Sequence, residues 1–402
     1  MRIAHISDVH YHPSQKNFEI EILRPLIKDL QEKNQEHPIE LICYTGDLID
    51  KGGFDIIKPF STRECFQEFE SKFILPIVES LNLDKSRFLF VPGNHDIDRS
   101  KINPIFETGL VSTLSTAESI QSNMVNPDNL HLDRIKAYKD FERAFFNGNI
   151  GYKGNEFGYG YSQETSEGNN IGVAGINSSW RCNDDNDKGK LIVGLDQLDS
   201  IKESLNTDEK KYDLKIALMH HAFDFLVDAE KRTIQNEVMM DYDLLLIGHD
   251  HSTSAQQNNN SYGTSLVISQ APSNWTANMR STSLAYHNGY TIIDYDKIEA
   301  TITLYFRIYN RNNRTFVSDT MRGMDGTGST VFNIDRSLNE EWKVLKESII
   351  DNLSDFTEEI QKVMVSFGTD SDSPKEIDDI FVAPKLEIRN HDQINSDIRN
   401  ST

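Results

Sequence analysis

The sequence predicts an α/β fold with two β-sheets, and two observations predict it. The N-terminal part alternates short apolar runs with stretches of helical periodicity. The later part contains segments that alternate apolar and polar residues with little helix between them. With 402 residues, of which 37% are hydrophobic, the chain is long enough to bury a large core.

The opening of the chain predicts a parallel sheet. Residues 2–7, 40–46 and 87–93 are apolar runs of strand length, and residues 18–34 and 64–82 between them have helical spacing. This order of elements favours parallel pairing through right-handed crossovers. The residues that follow the carboxyl ends of such strands gather along one edge of the sheet, where ligands normally bind.

The rest of the chain predicts further strands, at 170–177, 214–221, 243–249, 264–270, 289–296 and 299–310. Because the last three follow one another as a meander, we expect them to form the second sheet. Residues 1–335 are expected to be one domain, in which the Gly/Asn-rich region 101–169 is an insertion or a lid over the edge. Residues 336–402 are acidic and predict a helical appendage followed by a linker or docking segment.

Charge and cysteine content exclude several classes of protein. The formal net charge of −22 repels phosphate backbones, so a protein that coats nucleic acid is excluded. Cys43, Cys65 and Cys182 are too few and too scattered for a disulfide framework or a thiolate zinc cluster, which favours a reducing compartment. The N-terminus lacks the pattern of a signal peptide, and no run of about 18 apolar residues occurs. We therefore expect a cytoplasmic protein without a membrane partner.

Five of the predicted strands end in polar clusters. In chain order the clusters are Asp8 and His10; Asp47 and Asp50; Asn94, His95 and Asp96; His220 and His221; His249 and His251. Alternate residues of an extended segment point the same way, so Asp8 and His10 can reach one point. Any one cluster alone is ordinary turn chemistry. Five of them at the edge of a sheet predict a functional site.

The residue types in these clusters predict divalent metal ions. Imidazole, carboxylate and amide oxygen suit manganese, zinc, iron or nickel. Five such groups fill the coordination of one ion, and seven predict two ions. Two ions about 3.5–4 Å apart that share a carboxylate would hold a hydroxide that attacks phosphorus. The clusters thus predict metal-assisted hydrolysis of a phosphoester.

The set of motifs resembles that of the calcineurin-like metallophosphoesterases. Their signature, D-x-H, GDxxD, GNH with an acid, a histidine within HH, and GHxH, stands here as "DVH", "GDLID", "GNHD", "HH" and "GHDH". The resemblance implies a four-layer α/β/β/α sandwich with two mixed sheets. It also implies two divalent ions, for which we expect manganese, with iron, zinc or nickel as alternatives.

The resemblance further implies a role for each matching residue. One ion would be held by Asp8, His10 and His251, the other by Asn94, His220 and His249, with Asp47 between them. His95 would donate a proton or present a cation to the phosphoryl group, held by Asp96, and Asp50 would orient His10. His221 is a further candidate, which we expect to lie near the metal or the substrate. Trp180 and Arg181 are expected to emerge at the edge, where they would stack a base and bind a phosphate; packing is the alternative.

The motif residues predict the type of reaction better than they predict the substrate. A phosphodiesterase or nuclease acting on DNA, RNA or nucleotides is favoured, because His95 would protonate a leaving alkoxide. On nucleic acid, local cations such as Lys188 would have to collect at the site. The alternatives are a small-molecule phosphodiesterase or phosphomonoesterase, and a non-catalytic scaffold, for which lost ligands are expected and none is lost. Residues 376–388 resemble the connector that joins effector domains to NTPase partners in prokaryotic antiviral defence, which predicts an NTPase-type partner.

Overall fold

The computed structural model describes residues 1–54, 59–125, 130–184, 186–206, 210–259, 264–275, 287–323 and 326–334. The predicted helical appendage, linker and NTPase-binding segment at 336–402 lie outside the described residues. The domain boundary at residue 335 therefore stays a prediction.

The first sheet is mixed and contains seven strands among the described residues. In spatial order these are β13 (Thr315–Ser318), β12 (Thr301–Asn310), β11 (Gly289–Asp296), β1 (Arg2–Ile6), β2 (Ile39–Thr45) and β3 (Phe88–Val91), and β14 (Ser329–Asn333) also pairs with β12. Strands β1, β2 and β3 are parallel, as predicted. Every residue of these three strands is buried, because a parallel sheet is covered on both faces.

The second sheet is also mixed, and the described residues contribute seven strands to it. Their spatial order is β4 (Tyr152–Gly154), β5 (Tyr159–Glu164), β6 (Asn170–Ile176), β7 (Leu214–Met219), β8 (Leu244–Ile247), β10 (Ser265–Gln270) and β9 (Ser254–Asn259). The strands from β6 through β7 and β8 to β10 are parallel, and the strands at both edges are antiparallel.

The predicted membership of the second sheet was wrong for two of the three meander strands. Only β10 lies in that sheet, whereas β11 and β12 extend the first sheet because β11 pairs antiparallel with the free edge of β1. Alternation of apolar and polar residues identifies a strand but not the strand beside which it pairs.

Helices cover the outer faces of the sheets. They are α1 (Arg24–Glu36), α2 (Thr62–Phe69), α3 (Leu75–Ser80), α4 (Pro104–Thr113), α5 (Ala117–Met124), α6 (Asp133–Phe145), α7 (Leu195–Asn206) and α8 (Asp228–Asp241). Helix α1 packs on the first sheet, α7 and α8 pack on the second, and β2 and β3 face β6, β7 and β8. The predicted four-layer α/β/β/α arrangement is confirmed.

The region 101–169, predicted as an insertion or lid, contains α4, α5, α6 and the strands β4 and β5. Its two strands form an edge of the second sheet, and β5 buries Tyr159 and Tyr161. The two strands therefore belong to the core of the fold. A lid stays a prediction only for the helices α4, α5 and α6.

Two further features concern the cysteines and the helices. Cys43, Cys65 and Cys182 are buried and free. None of the helices in the described part of the chain combines the length and apolar character needed to cross a bilayer.

Candidate active site

The five polar clusters come together where the two sheets meet. β1, β2 and β3 of the first sheet and β7 and β8 of the second all end there. His220 Nδ1 lies 2.6 Å from the carbonyl oxygen of Thr45, and the backbone N–H of His249 donates to Asp8 Oδ2 at 3.2 Å. These hydrogen bonds join the strand ends of one sheet to those of the other.

The first group of side chains consists of Asp8, His10 and His251. Asp8 Oδ1 lies 3.3 Å from His251 Nε2 and 3.8 Å from His10 Nε2, and the two imidazole nitrogens are 3.2 Å apart. Asp8 Oδ1 is buried, and within the described residues it accepts no hydrogen bond. A buried carboxylate oxygen that faces two imidazole nitrogens fits a cation between them.

The second group consists of Asn94, His220 and His249. Asn94 Oδ1 lies 3.0 Å from His249 Nδ1 and 3.2 Å from His220 Nε2. The hydrogen bond to the Thr45 carbonyl places the proton of a neutral His220 on Nδ1. Its Nε2 is then left with a free lone pair that points into the group, as a metal ligand requires.

Asp47 lies between the two groups. Its Oδ2 is 3.8 Å from His10 Nε2, and its Oδ1 is 3.6 Å from His220 Nε2. Asp47 Oδ1 also accepts the backbone N–H of His95 at 2.8 Å. One carboxylate therefore reaches both groups, which fits the bridging role that the sequence predicts.

Several of these side chains stand on an unusual backbone conformation. Positive φ angles occur at Asp8 (55°), His10 (48°), Asp47 (55°), His249 (70°) and His251 (53°). Residues other than glycine avoid this region, and each such residue costs on the order of 1–3 kcal/mol. Strain of this kind persists where the surrounding structure fixes the backbone. Here the strained backbone directs these side chains toward the two groups.

Two glycines of the motifs are required by close packing. Gly46 has a φ of 91°, and a Cβ there would lie 2.3 Å from His220 Nδ1. A Cβ on Gly93 would lie 2.1 Å from Asp47 Oδ1. The glycine before Asp47 and the glycine before Asn94 therefore leave room for the two groups.

His95 is held by Asp50. His95 Nδ1 lies 2.9 Å from Asp50 Oδ1, and its ring centroid is 4.6 Å from that of His10. The sequence predicts that Asp50 orients His10 and that Asp96 holds His95. Both predictions were wrong, since Asp50 takes the role assigned to Asp96.

Asp96 instead fixes the backbone around the strand ends. It is fully buried, and its carboxylate accepts the backbone N–H groups of Gly93, Leu48 and Ile49 at 2.7, 3.1 and 3.0 Å. Because consecutive side chains point in different directions, Asp96 faces the turn while His95 faces the cleft.

The local environments give the histidines of the site different pKa values. Burial lowers the pKa of His95, but the charge of Asp47 and the hydrogen bond to Asp50 outweigh it and raise the pKa to about 9. Burial lowers the pKa of His10 and that of His249 to about 4. Neutral imidazoles can bind metal, whereas a protonated His95 can donate a proton.

Comparison with known proteins identifies the family. Residues 1–253 match the model of the calcineurin-like phosphoesterases. The chain belongs to this family. Calcineurin-like phosphoesterases are metal-dependent phosphoester hydrolases that use two ions, and the two groups of side chains described above fit such a pair.

Individual relatives of this calcineurin-like phosphoesterase are distant. An uncharacterized metallophosphoesterase-like protein of Bacillus subtilis, YydB, is 23% identical over 258 residues, which are 63% of this chain and 49% of the relative. The match thus spans about half the length of that relative.

Two solved structures are also similar. A dimetal phosphatase from Danio rerio is 12% identical with a TM-score of 0.39, over 79% of this chain and 98% of the other. The purple acid phosphatase PPD1 from yellow lupin (Lupinus luteus) is 13% identical with a TM-score of 0.46, over 84% of this chain and 55% of the other.

The phosphoesterase buries two residues that were expected at the edge. Trp180 is 1% exposed and packs on Phe157, and Arg181 is 5% exposed with its Nη1 2.6 Å from Glu107 Oε1. The prediction that they stack a base and bind a phosphate was wrong. Their loop folds back beneath the surface, and the packing alternative is the correct one.

His221 lies directly behind the second group. Its ring centroid is 4.5 Å from that of His249, and its Nδ1 lies 2.9 Å from Ser178 Oγ. It is buried apart from the face that lines the cleft.

The cleft over the two groups has a volume of about 210 Å³. Asp184, Asp187 and Phe225 form part of its wall, and the sequence analysis named none of them. The two acids lie in a polar loop that reads as an ordinary turn, and Asp187 does accept the backbone N–H of Asn183 and Asp184 there. The sequence gives no signal that this loop faces the cleft.

Proposed function

We propose that this chain is a phosphodiesterase that uses two divalent ions, held by the two groups of side chains with Asp47 shared between them. The ligands of one ion are Asp8, His10 and His251, and those of the other are Asn94, His220 and His249. The observation that carries the proposal is the position of His95, which faces the cleft beside these groups with Asp50 bonded to its ring.

The ions would supply Lewis acidity toward the phosphoryl oxygens and lower the pKa of the attacking water. The chain's own residues do the rest. His10 and His249 stay neutral, and Asn94 adds an oxygen without a charge. In the metal-free protein the pKa of His95 is raised to about 9, and the hydrogen bond to Asp50 Oδ1 at 2.9 Å stabilises the protonated ring, which can pass its proton to the leaving alkoxide. Asp50 holds the ring in place for that transfer.

Manganese is the ion that we propose, with iron, zinc and nickel as alternatives. The ligand set combines imidazole, carboxylate and one amide oxygen, which suits borderline divalent ions. All three cysteines are buried and free, and none belongs to the two groups.

Nucleic acid and nucleotides are the substrates that we propose first, because a diester of ribose or deoxyribose has an alkoxide leaving group. One observation favours a small phosphodiester as a second candidate. Asp184 and Asp187 on the cleft wall repel a polyanion, and Lys188, expected to attract one, pairs with Asp224 at 2.6 Å.

A substrate panel tests the proposal. The chain is purified, stripped with chelator and reloaded with manganese, and then assayed on bis-p-nitrophenyl phosphate, p-nitrophenyl phosphate, cyclic nucleotides, single- and double-stranded DNA, and RNA. We expect metal-dependent hydrolysis of the diesters to exceed that of the monoester. Full activity in chelator, or hydrolysis of the monoester alone, would contradict the proposal.

A matched variant controls for unspecific effects of substitution. Asp98 lies in the same loop as His95, and its carboxylate accepts hydrogen bonds from Ser100. Asp98→Asn is expected to keep the activity of the wild type on every substrate of the panel.

A further inference from the structure

The loop from Gly248 to Thr253 contributes one ligand to each proposed ion, His249 to one and His251 to the other. Both residues have positive φ angles, 70° and 53°. Two strained residues separated by one position cost on the order of 1–3 kcal/mol each, so contacts from outside the loop must hold it in this conformation.

The strand β10 supplies one set of contacts. Gln270 Nε2 donates to Ser252 Oγ at 3.1 Å and approaches Asp250 Oδ2 at 3.4 Å. These bonds hold two side chains of the loop. They do not contact the backbone that follows His251.

Arg322 holds that backbone. It lies in the turn between β13 and β14, and its Nη1 donates to the carbonyl oxygen of Thr253 at 2.7 Å. Its Nε donates to Asp319 Oδ2 at 3.0 Å, which fixes the guanidinium group. Asp319 is 4% exposed and the Arg322 side chain is 23% exposed, so the carboxylate of this pair is buried and the guanidinium group is partly buried.

His287 adds a second point of attachment. Arg322 Nη2 lies 3.2 Å from His287 Nδ1, and because a guanidinium can only donate, the proton of the neutral imidazole is on Nε2. His287 Nε2 lies 3.0 Å from Thr253 Oγ1 and can donate to it. Thr253 is thus held at its carbonyl and at its hydroxyl by one connected network.

We infer that Arg322 is a positioning residue of the metal centre, which keeps the His249–His251 loop in its ligand-binding conformation. The inference rests on the proposed function for the ions themselves. Arg322 and Asp319 lie beyond residues 1–253, the part that matches the family. The last strands of the first sheet therefore complete a site whose ligands all lie earlier in the chain.

The test is binding of Mn²⁺ to the metal-free protein, measured by calorimetry without substrate, together with the thermal midpoint of the metal-free form. Arg322→Gln is expected to weaken binding about 10-fold or more, as is typical when a residue that supports metal ligands is lost. Because His249 and His251 serve different ions, both binding steps should weaken. The affinity of Arg322→Lys for Mn²⁺ should lie between that of the wild type and that of Arg322→Gln, because one ammonium group cannot reach all three acceptors of the guanidinium group.

Arg307→Gln is the matched control. Arg307 is a partly buried arginine on the neighbouring strand β12, and its Nε donates to Asp29 Oδ2 at 2.9 Å, in contact with α1 and not with the loop. This variant should lower the thermal midpoint of the metal-free protein and leave the affinity for Mn²⁺ unchanged.

The outcomes are distinct. An unchanged affinity in Arg322→Gln, or an equal loss in Arg307→Gln, overturns the inference while the proposed function stands. Failure of the wild type to bind Mn²⁺ overturns both. If Arg322→Gln does not fold, Asp319→Asn takes its place with an expected loss of a few-fold, about 3-fold, and an unchanged affinity there overturns the inference as well.

Discussion

At the scale of single residues, the contacts of each histidine decide what its imidazole can do. Burial lowers the pKa of His10 and of His249 to about 4, so both rings are neutral, as the proposed metal ligands must be. His95 is partly buried, but the charges of Asp47 and Asp50 outweigh the effect of burial and raise its pKa to about 9. Such a separation of pKa values within one site is what assigns groups to different chemical roles.

Substitution of Asp50 tests the role of His95 as a proton donor. The Asp50 carboxylate stabilises the imidazolium, so Asp50→Asn lowers the pKa of His95 and moves the alkaline limb of kcat/KM to lower pH. His95→Ala removes the donor and should reduce kcat by about 10²–10⁴-fold with the metal content unchanged. Both effects are measured across the alkaline range with a cyclic nucleotide, whose leaving group is an alkoxide that needs a proton. An alkaline limb that stays in place in Asp50→Asn would show that another group is the donor.

Substitution of Asp47 tests the shared carboxylate. Asp47→Asn keeps the shape of the side chain but removes the negative charge that would lie between the two proposed cations, so we expect loss of turnover and weaker metal loading. Elemental analysis after dialysis measures the ions bound per chain, beside the rate on bis-p-nitrophenyl phosphate. A variant that retains two ions and full turnover would exclude Asp47 as the bridge.

At the scale of elements, the site is a property of five strand ends. The clusters after β1, β2, β3, β7 and β8 are predictable from the sequence, because an apolar run that ends in acids and histidines is visible in the letters. The sequence does not show in which direction each loop turns after its strand, or which strands pair with each other. The positions of Asp50, Asp96 and Trp180 depend on how each loop turns after its strand, and the pairing of β11 with β1 depends on which sheet edge remains free.

Asp96 gives a test at this scale. Its carboxylate accepts three buried N–H groups and so joins the turn after β3 to the backbone after β2. Asp96→Ala leaves these donors without an acceptor, and we expect the free energy of unfolding to fall by about 3 kcal/mol. Urea denaturation of the metal-free protein measures it. Asp96 does not touch the His95 ring, so the alkaline limb of kcat/KM should stay in place; a limb that moved as in Asp50→Asn would contradict this separation of roles.

At the scale of the whole molecule, the net negative charge affects which substrates can approach the cleft. The formal net charge is −22, and Asp184 and Asp187 add acids at the wall of the cleft. A repulsive field of this kind slows the approach of polyanions and has little effect on a substrate with one charge. If the proposed site hydrolyses both kinds of substrate, we expect the two rates to differ in their response to salt.

Salt dependence follows from this field and separates the two substrate candidates. Screening shortens the reach of the field from about 30 Å at 0.01 M salt to about 10 Å at 0.1 M. For a single-stranded oligonucleotide, kcat/KM should rise several-fold, about 3-fold or more, over this range, because repulsion at encounter is relieved. For bis-p-nitrophenyl phosphate, which carries one charge, it should change by less than about 2-fold. The two substrates are compared at constant manganese, so that salt effects on metal binding cancel. A value for the oligonucleotide that falls with salt would show instead that a local basic surface draws nucleic acid to the cleft against the net charge of the chain.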